Sequence, residues 1–456
     1  MTTYSGKPKS SESGIRQYKR YPAYKDSGVE WLSEIPAHWA AKRLRFVVET
    51  SISKQEVRDF DPETEVSFVP MEAVQEYGGI DLDSTKALSE VAEGYTYFRN
   101  GDVIVAKITP CFENGKGAMA TGLRNDVGFG TTELHVLRTS SHVDPRFLLY
   151  LTFSDHFRRI GTSSMYGAGG QKRISDDFIR DFSHPVPSLP EQRVIAAFLD
   201  RETASVDALV AKKERLIELL QEKRTALINL AVTRGLDPNV PMKDSGVEWL
   251  GKIPAHWDVK RLKYLTTVND EALPETTDPG TEIAYVDIGN VDSIQGITDV
   301  EVMVFEDAPS RARRVVRQGD VIVSTVRTYL RAIAQIETTD ANLIVSTGFA
   351  VLRPHKMDYG YVAYAATAPY FVETVVAHSV GVSYPAINAS ELACLDIVFP
   401  PIDEQCAIAA FLDRETAQIE ALVDRVSEAI DRLKELRQAL ISAAVTGKID
   451  VRQEAA

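Results

Sequence analysis

Two long stretches of the chain carry apolar residues in alternating steps of four and three. The first runs from Pro190 to Gly235, and the second follows Asp403 and ends at Gly447. Apolar positions that repeat every seven residues over about five heptads are typical of coiled-coil helices. We therefore predict two helices of about 44 residues, each roughly 65 Å long, that pair with each other in antiparallel fashion.

The seam between these helices is assigned from the same spacing. Pairing of each helix with a separate partner chain stays an alternative, but it leaves more apolar surface exposed. The assigned positions are Ile195, Leu199, Glu202, Val206, Leu209, Lys213, Leu216, Leu220, Lys223, Leu227 and Leu230 in the first helix, and Ile408, Leu412, Glu415, Ile419, Leu422, Val426, Ala429, Leu433, Leu436, Leu440 and Ala443 in the second.

The sequence before each long helix indicates short strands and loops. Residues 103–105 and 321–323 are β-branched runs that follow a Gly-Asp turn, and short helices are predicted near residues 145–159 and 359–377. The predicted fold class is therefore α+β. It has two globular domains of mixed α/β type, related by a pseudo-two-fold and separated by the long antiparallel two-helix coiled coil.

The two halves repeat the same motifs. Asp-Ser-Gly-Val-Glu-Trp-Leu occupies residues 26–32 and 244–250, and Phe-Leu-Asp-Arg-Glu-Thr-Ala occupies residues 198–204 and 411–417. The offset between copies falls from 218 at the first motif to 213 at the second. The first copy therefore carries a net five extra residues, which we place between the Gly-Asp-Val strand and Ile174. Length changes of this kind usually fall in surface loops.

The repeat and the helix signals divide the chain into six segments. Length alone allows two or more domains, each with its own core. The predicted segments are a mobile N-terminal tail (residues 1–20), a first domain (21–187), a central long helix (188–238), a second domain (239–400), a C-terminal long helix (401–448) and a C-terminal tail (449–456).

Composition and charge bear on whether the chain is a membrane, secreted or DNA-binding protein. The chain has 456 residues, three cysteines and a formal net charge of −14. The sequence lacks an apolar run of about 18 residues and its start is polar and basic, so we expect neither a membrane span nor a secretory signal, and a cytoplasmic location. The acidic balance disfavours a stand-alone DNA binder, although a local basic cleft or a basic partner would still permit DNA binding.

The sequence contains no recognisable catalytic motif. It contains no phosphate-binding G-x-x-x-x-G-K-[ST] loop, and the cysteines form no C-x-x-C pair. Asp102 with Lys107 could suggest a metal nuclease, but the second copy has Thr325 at the position of Lys107. For His38 and His256, no carboxylate or nucleophile that would act with them in catalysis can be identified from the sequence. We therefore predict a non-catalytic protein without a metal site, in which these histidines are structural.

Three motifs carry a resemblance to a known family. Residues 24–39, residues 187–200 and residues 443–450 resemble, in family order, the motifs of type I restriction-modification specificity (S) subunits. The resemblance implies two target-recognition domains, each reading one half of a split asymmetric DNA site, with the coiled coil setting the spacer. It also implies partners: double-stranded DNA, two modification (M) subunits that use S-adenosylmethionine to methylate adenine, and motor-nuclease (R) subunits. The chain itself would bind no cofactor.

The residues that would contact DNA are sought where the copies differ most. Donors and acceptors must reach base edges, and cations must reach phosphates. Gln171 could contact adenine and Arg173 guanine, and a solvated surface side chain is the competing interpretation at each position. The candidate DNA-binding residues are Lys107, Thr109, Gly170, Gln171, Lys172 and Arg173 in the first copy, and Arg327, Tyr329, Arg331, Ser383 and Tyr384 in the second.

The near-identical motifs, by contrast, are assigned to the protein frame or to subunit docking. The residues concerned are Trp31, His38, Trp39, Trp249, His256, Trp257, Phe198 and Phe411. An alternative function remains open at this point, a non-catalytic coiled-coil scaffold that joins two protein-binding domains. The divergence confined to the domain interiors favours two readers of different targets.

Overall fold

A computed structural model describes residues 18–454 except 169, 248, 293, 339, 341, 382 and 383. The chain divides into two compact units: unit 1 comprises Met1–Lys212 and Glu428–Ala456, and unit 2 comprises Lys213–Ser427. Each unit thus combines one copy of the repeat with one half of each long helix.

Unit 1 contains twelve short strands, four short helices and the first half of a long helix within the part of the chain that is described. In chain order these are β1 (Tyr24–Asp26), β2 (Glu34–Pro36), β3 (Ala40–Arg43), β4 (Val48–Glu49), β5 (Glu65–Val69), β6 (Thr85–Ala87), α1 (Leu88–Val91), β7 (Thr96–Arg99), β8 (Val103–Ala106), β9 (Gly117–Met119), β10 (Val127–Gly130), β11 (Leu134–Thr139), α2 (Pro145–Phe153), α3 (Asp155–Ser163), α4 (Asp176–Asp181), β12 (Ser183–Val186) and α5 (Leu189–Arg234).

Unit 2 has a similar order, with an additional two-stranded hairpin, without an α-helix at the position of α1, and with a second long helix that ends in unit 1. Its elements are β13 (Met242–Asp244), β14 (Lys252–Pro254), β15 (Asp258–Arg261), β16 (Thr266–Val268), β17 (Glu282–Val286), β18 (Val291–Asp292), β19 (Gly296–Ile297), β20 (Glu301–Val304), β21 (Ala312–Val315), β22 (Val321–Ser324), β23 (Ile333–Gln335), β24 (Leu343–Ser346), β25 (Phe349–Pro354), α6 (Tyr359–Thr367), α7 (Pro369–Ala377), α8 (Ala389–Leu392), β26 (Asp396–Phe399) and α9 (Ile402–Val445).

The sheets have the same strand order in both units. Unit 1 has four-stranded sheets β6-β5-β10-β7 and β4-β11-β8-β9, and unit 2 has β20-β17-β24-β21 and β16-β25-β22-β23. In each unit one pair is parallel, β5 with β10 and β17 with β24, and the remaining pairs in these sheets are antiparallel. The predicted α+β class is confirmed, and the sequence repeat is a repeat of topology.

A buried ion pair joins the Gly-Asp-Val segment to a second repeated motif, Val-Leu-Arg at residues 136–138 and 351–353, in both units. Arg138 donates from Nε and Nη2 to the two carboxylate oxygens of Asp102, each at 2.7 Å. Arg353 makes the same two bonds to Asp320 at 2.9 and 2.8 Å. Each aspartate side chain is 2% exposed. Asp102 therefore links β8 to β11 through Arg138, and Asp320 links β22 to β25 through Arg353.

The long helices run antiparallel to each other within each unit. In unit 1 Arg437 Nε lies 2.9 Å from Asp207 Oδ1, and in unit 2 Arg224 Nε lies 3.5 Å from Glu420 Oε1. Further along, the start of each helix shares a core with the end of the other. In unit 1 this core contains Ile195, Phe198, Leu199, Leu440, Ile441, Ala444 and Val445; in unit 2 it contains Ile228, Ala231, Val232, Ile408 and Leu412.

The predicted seven-residue period is confirmed. Of the two apolar positions assigned in each heptad, one is correct, and the other lies one residue before the position that is buried. Because each helix also packs against the domain of its unit, the buried stripe takes in polar residues that a search for leucines passes over. These largely buried residues are Thr203, Arg224, Thr416 and Arg437. The leucines of the wrongly assigned set, Leu209, Leu216, Leu230, Leu422 and Leu436, are between 40% and 50% exposed, and the residue after each of them lies in the buried stripe.

The structure also locates the five extra residues of the first copy. Register in the sheets assigns two of them to the loop between β8 and β9, which corresponds to the loop between β22 and β23. One lies between β9 and β10, one precedes α2, and one lies in residues 167–172, which correspond to residues 381–385. Three of the five therefore fall in the loops from which the candidate DNA-binding residues were chosen.

Candidate nucleic-acid interface

The two separate candidate segments of the first copy meet in unit 1. The chain after β8 pairs with the chain that approaches α4: Thr109 N–H donates to Lys172 O at 3.0 Å, and Ile174 N–H donates to Lys107 O at 3.0 Å. Isolated bridges join Arg173 to Ile108 and to Tyr166 on its other side. We call this arrangement, residues 107–109, 166 and 172–174, the unit 1 ladder.

Unit 2 builds the same arrangement from a different sequence. Arg327 N–H donates to Pro385 O at 2.8 Å, and Ile387 N–H donates to Thr325 O at 2.9 Å. Ala386 bridges both Val326 and Val380. This unit 2 ladder, residues 325–327, 380 and 385–387, matches the unit 1 ladder bond for bond, and Arg327 stands where unit 1 has Thr109.

A glycine opens the connecting turn of each ladder. Gly167 has a φ of 130°, and a Cβ there would lie 2.7 Å from Gln171 O. Gly381 has a φ of 122°, and a Cβ there would lie 3.0 Å from Tyr384 O. Both the backbone conformation and the close approach exclude a side chain, so the turn requires glycine at this one position in each copy.

The candidate residues of the first copy lie on and around the unit 1 turn. Gly170, Gln171 and Lys172 are exposed, whereas Lys107 and Thr109 are half-buried. Thr109 Oγ1 donates to Gly170 O at 2.6 Å and accepts from Lys172 N–H at 3.0 Å. Thr109 therefore positions the turn through both of its hydroxyl hydrogen bonds.

Arg173 is held by a carboxylate that the sequence analysis did not identify. Its Nε donates to Glu133 Oε2 at 2.9 Å, and its Nη2 donates to Glu133 Oε1 at 2.8 Å. The Arg173 hydrogen bond is the largest effect on the pKa of Glu133 and lowers it. No sequence signal links the two residues, since they are 40 positions apart and lie in different segments.

The candidate residues of the second copy form an exposed surface beside the unit 2 ladder. Arg327 lies over the Tyr384 ring, with its guanidinium carbon 4.9 Å from the ring centroid. Tyr329 and Arg331 are exposed, and a single turn of 3₁₀-helix, Thr328–Leu330, separates the two arginines. Ser383 lies outside the described residues.

The segments that form the two ladders carry more basic than acidic residues, despite the acidic balance of the chain. Residues 107–116 and 166–173 contain four Lys or Arg and one Glu, and residues 325–332 and 380–386 contain two Arg and no acidic residue. In unit 2 these segments hold no carboxylate, so the two arginines can attract phosphates, and Tyr384 adds an aromatic face. In unit 1 Glu133 binds Arg173 and offsets part of the positive charge. The arrangement fits contact with a polyanion.

The histidine and tryptophan of the first repeated Pro-Ala-His-Trp motif lie at the junction of the two long helices. His38 Nε2 lies 3.0 Å from Glu191 Oε2 in the first turn of α5. Trp39 is fully buried, and a Cβ at Gly447, just after α9, would lie 2.9 Å from its ring. The motif therefore contacts the start of one long helix and the end of the other.

The second motif makes similar contacts in unit 2, with one additional hydrogen bond from its tryptophan. His256 Nε2 lies 2.7 Å from Glu404 Oε1, and Trp257 Nε1 donates to Glu404 Oε2 at 2.9 Å. Trp257 is fully buried, and a Cβ at Gly235 would lie 3.1 Å from its ring. Neither histidine has a nucleophile among these contacts, which have the character of frame packing.

The other candidate frame residues differ between the copies. Phe198 is buried in the unit 1 core, and Phe411 packs against the unit 2 core. Trp31 stacks on Phe182 with ring centroids 5.1 Å apart. Trp249, the equivalent of Trp31, is exposed.

The described part of the chain holds neither a candidate metal site nor a candidate membrane-spanning helix. No group of three or more His, Cys, Asp or Glu residues there could hold a metal ion. No helix in the same part is long and apolar enough to cross a membrane.

Comparison with known proteins gives the class of this fold. Residues 38–219 match the family model described as the type I restriction modification DNA specificity domain. The chain as a whole resembles specificity subunits of type I restriction enzymes, and the resemblance inferred from its motifs is confirmed.

Individual relatives match different shares of the chain. The EcoAI specificity subunit of Escherichia coli is 40% identical over 183 residues, 40% of this chain and 31% of that protein. The EcoEI specificity subunit, also of Escherichia coli, is 35% identical over 221 residues, 46% of this chain and 37% of that protein. The chain thus spans about a third of the length of these two relatives.

The likeness to a solved structure covers nearly the whole chain. A chain from work on complex assembly and conformational transition of the type I R-M system matches with a TM-score of 0.65 at 22% identity. The match covers 90% of this chain and 98% of that chain. At this identity it shows a shared fold.

Proposed function

We propose that this chain is the DNA sequence-specificity subunit of a type I restriction-modification complex. Each unit reads one half of a bipartite, asymmetric DNA site, and the two long helices set the spacer between the halves. The chain performs no catalysis and binds no cofactor. It recruits two M subunits, which bind S-adenosylmethionine, and motor-nuclease R subunits.

One observation carries the proposal: the two ladders share their main-chain hydrogen bonds and differ in their side chains. Lys172 and Arg173 of unit 1 correspond to Pro385 and Ala386 of unit 2. A constant backbone that presents different side chains suits two readers of unlike sequences, since base edges are distinguished by side-chain donors and acceptors. Two protein-binding domains of a scaffold would not require a positive surface at both positions.

The long helices offer a surface for the M subunits. Besides the buried stripe that joins α5 to α9, each unit carries leucines that face solvent. They are Leu209 and Leu436 in unit 1, and Leu216, Leu219, Leu230 and Leu422 in unit 2. Apolar side chains exposed in both units favour a helical partner that binds once to each unit.

A second repeated exposure supports a partner present in two copies. Phe46 is 72% exposed, and Tyr264, at the equivalent position, is 57% exposed. Each lies in a single turn of 3₁₀-helix, Leu44–Phe46 or Leu262–Tyr264, and a basic residue precedes it. Large aromatic side chains are enriched at protein interfaces, so the same exposed aromatic in both copies fits two identical partner contacts.

Mapping of methylated adenines tests the proposal. The full chain, produced together with its modification subunit, is expected to direct methylation to one bipartite motif with a fixed spacer. Binding of the purified complex to that motif should weaken steeply as salt rises, because phosphate contacts release counterions. A complex that methylates no bipartite motif, or a chain that binds only proteins, would instead support the scaffold interpretation.

A further inference from the structure

A cluster of ionisable side chains lies behind the unit 1 ladder. Glu133 binds Arg173 as described above, and His135 Nδ1 lies 2.9 Å from Asp176 Oδ1. His135 Nε2 lies 3.3 Å from Ile174 O, on the residue that follows Arg173. The side chain of His135 is almost completely buried, so the cluster is part of the folded unit.

Unit 2 replaces every member of this cluster, and the nearby Lys107, by a small neutral residue. The equivalences follow from the ladder bonds and from the register of β11 and β25. Lys107 corresponds to Thr325, Glu133 to Gly348, His135 to Ala350, Arg173 to Ala386 and Asp176 to Ala389. Loss of the whole set while the backbone is retained indicates that these residues serve something specific to unit 1.

The bonds of Arg173 leave one face of its guanidinium available. Glu133 occupies the face formed by Nε and Nη2, and Nη1 donates to Gln171 O at 3.3 Å. One hydrogen on Nη1 and one on Nη2 remain. With Nη1 bonded to Gln171 O through its hydrogen on the Cδ side, the two that remain lie in parallel at the end of the side chain. Because the side chain is 35% exposed, a ligand can approach that end.

We propose that Arg173 reads a guanine in the half-site of unit 1 through Nη1 and Nη2, and that Glu133 is the positioning residue that holds it. This inference rests on the proposed function. Two parallel N–H donors match the O6 and N7 acceptors that guanine presents in the major groove. Unit 2, with Ala386 and Gly348 at these positions, does not read guanine in this way.

Glu133 acts by restricting the guanidinium before DNA arrives. An arginine side chain has many rotamers, and a bound carboxylate fixes the plane of its donors. Arg173→Lys keeps the positive charge but loses the paired donors, and Glu133→Gln keeps the shape but cannot accept from both Nε and Nη2. Both substitutions should therefore weaken discrimination at one base pair while leaving phosphate contacts in place.

The experiment measures binding of the assembled complex to its methylation motif and to duplexes with each base pair changed in turn. Wild type is expected to prefer guanine at one position of one half-site by on the order of ten- to a hundredfold. Arg173→Lys, Arg173→Ala and Glu133→Gln should reduce that preference to within a few-fold. 7-Deazaguanine at the same position should weaken wild-type binding and leave the Arg173→Ala complex unaffected.

A matched control comes from another exposed pair on the same unit. Arg124 and Glu65 form an ion pair 3.4 Å long outside the ladder, so Arg124→Ala should leave the preference unchanged. A merely structural role for Glu133 would weaken binding equally at all positions of the half-site. Equal weakening at all positions would overturn the inference. So would a unit 1 half-site at which the Arg173 and Glu133 variants reduce no preference for guanine.

Failure of this inference can be distinguished from failure of the proposed function. If the wild-type complex recognises a bipartite motif and the Arg173 and Glu133 variants keep its full discrimination, only the inference is wrong. If the wild-type complex recognises no bipartite motif, the proposed function itself is wrong.

Discussion

Replacement of Arg138 by methionine should destabilise unit 1 by about 3 kcal/mol, because it would leave a charge buried without its partner. Arg138 supplies two hydrogen bonds of 2.7 Å to Asp102, whose side chain is 2% exposed. After the substitution the carboxylate would keep the bond from Arg99 N–H at 2.9 Å. Breaking a buried ion pair costs about 3–5 kcal/mol, and the partial exposure of Arg138 favours the lower figure.

Hydrogen–deuterium exchange is the appropriate assay, since it reports on the two units separately. Amides of β8 and β11 should exchange faster in Arg138→Met, while those of β22 and β25 serve as an internal reference. Arg99→Met is the matched control, because its pair with Glu56 is exposed and should contribute less than about 1 kcal/mol. A change of under about 1 kcal/mol for Arg138→Met, or equal changes in both units, would refute the reasoning.

Three further substitutions test other parts of the structure. Burial lowers the pKa of His184 to about 4, so the unfolded chain binds the proton more readily between about pH 6.5 and 4. Stability should fall by about 3 kcal/mol as pH falls through that window, and His184→Ile, which copies Ile397 of unit 2, should abolish this part of the dependence in urea unfolding; an unaltered pH profile would contradict it. Gly167→Ala should lower affinity for one half-site by roughly tenfold, because the turn cannot hold a Cβ at that φ, and an unchanged footprint would count against this. Leu422→Asp should release an M subunit without altering the circular dichroism of the chain, as size-exclusion chromatography would show, and full retention of both M subunits would be the contrary result.

Local patterns predict much of this fold because they act over short distances. The seven-residue period predicts both long helices, and the turn at Gly235 and Gly447 marks their ends. The phase of the helix seam is not predictable in the same way. The stripe follows contacts with the domain as well as with the other helix, and these contacts bury Arg224 and Arg437 rather than the nearby leucines.

The candidate site, too, is predictable from the sequence only in part. The divergence between the copies led to both ladders, because an internal repeat shows which aligned positions carry unlike side chains. The pair formed by Glu133 and Arg173 is not visible, since the chain brings these residues together only through the register of β11 and the ladder. The link between Asp102 and Arg138 was missed for the same reason, although both lie in repeated motifs.

The most direct test of the account exchanges one reader for another. Residues 24–187 of this chain are replaced by the same region of a specificity subunit with a different site, and methylated adenines are mapped in cells that carry the hybrid with its modification subunit. The account predicts a motif in which one half changes, while the other half and the spacer stay as they were. A motif in which both halves change, or neither, would contradict it.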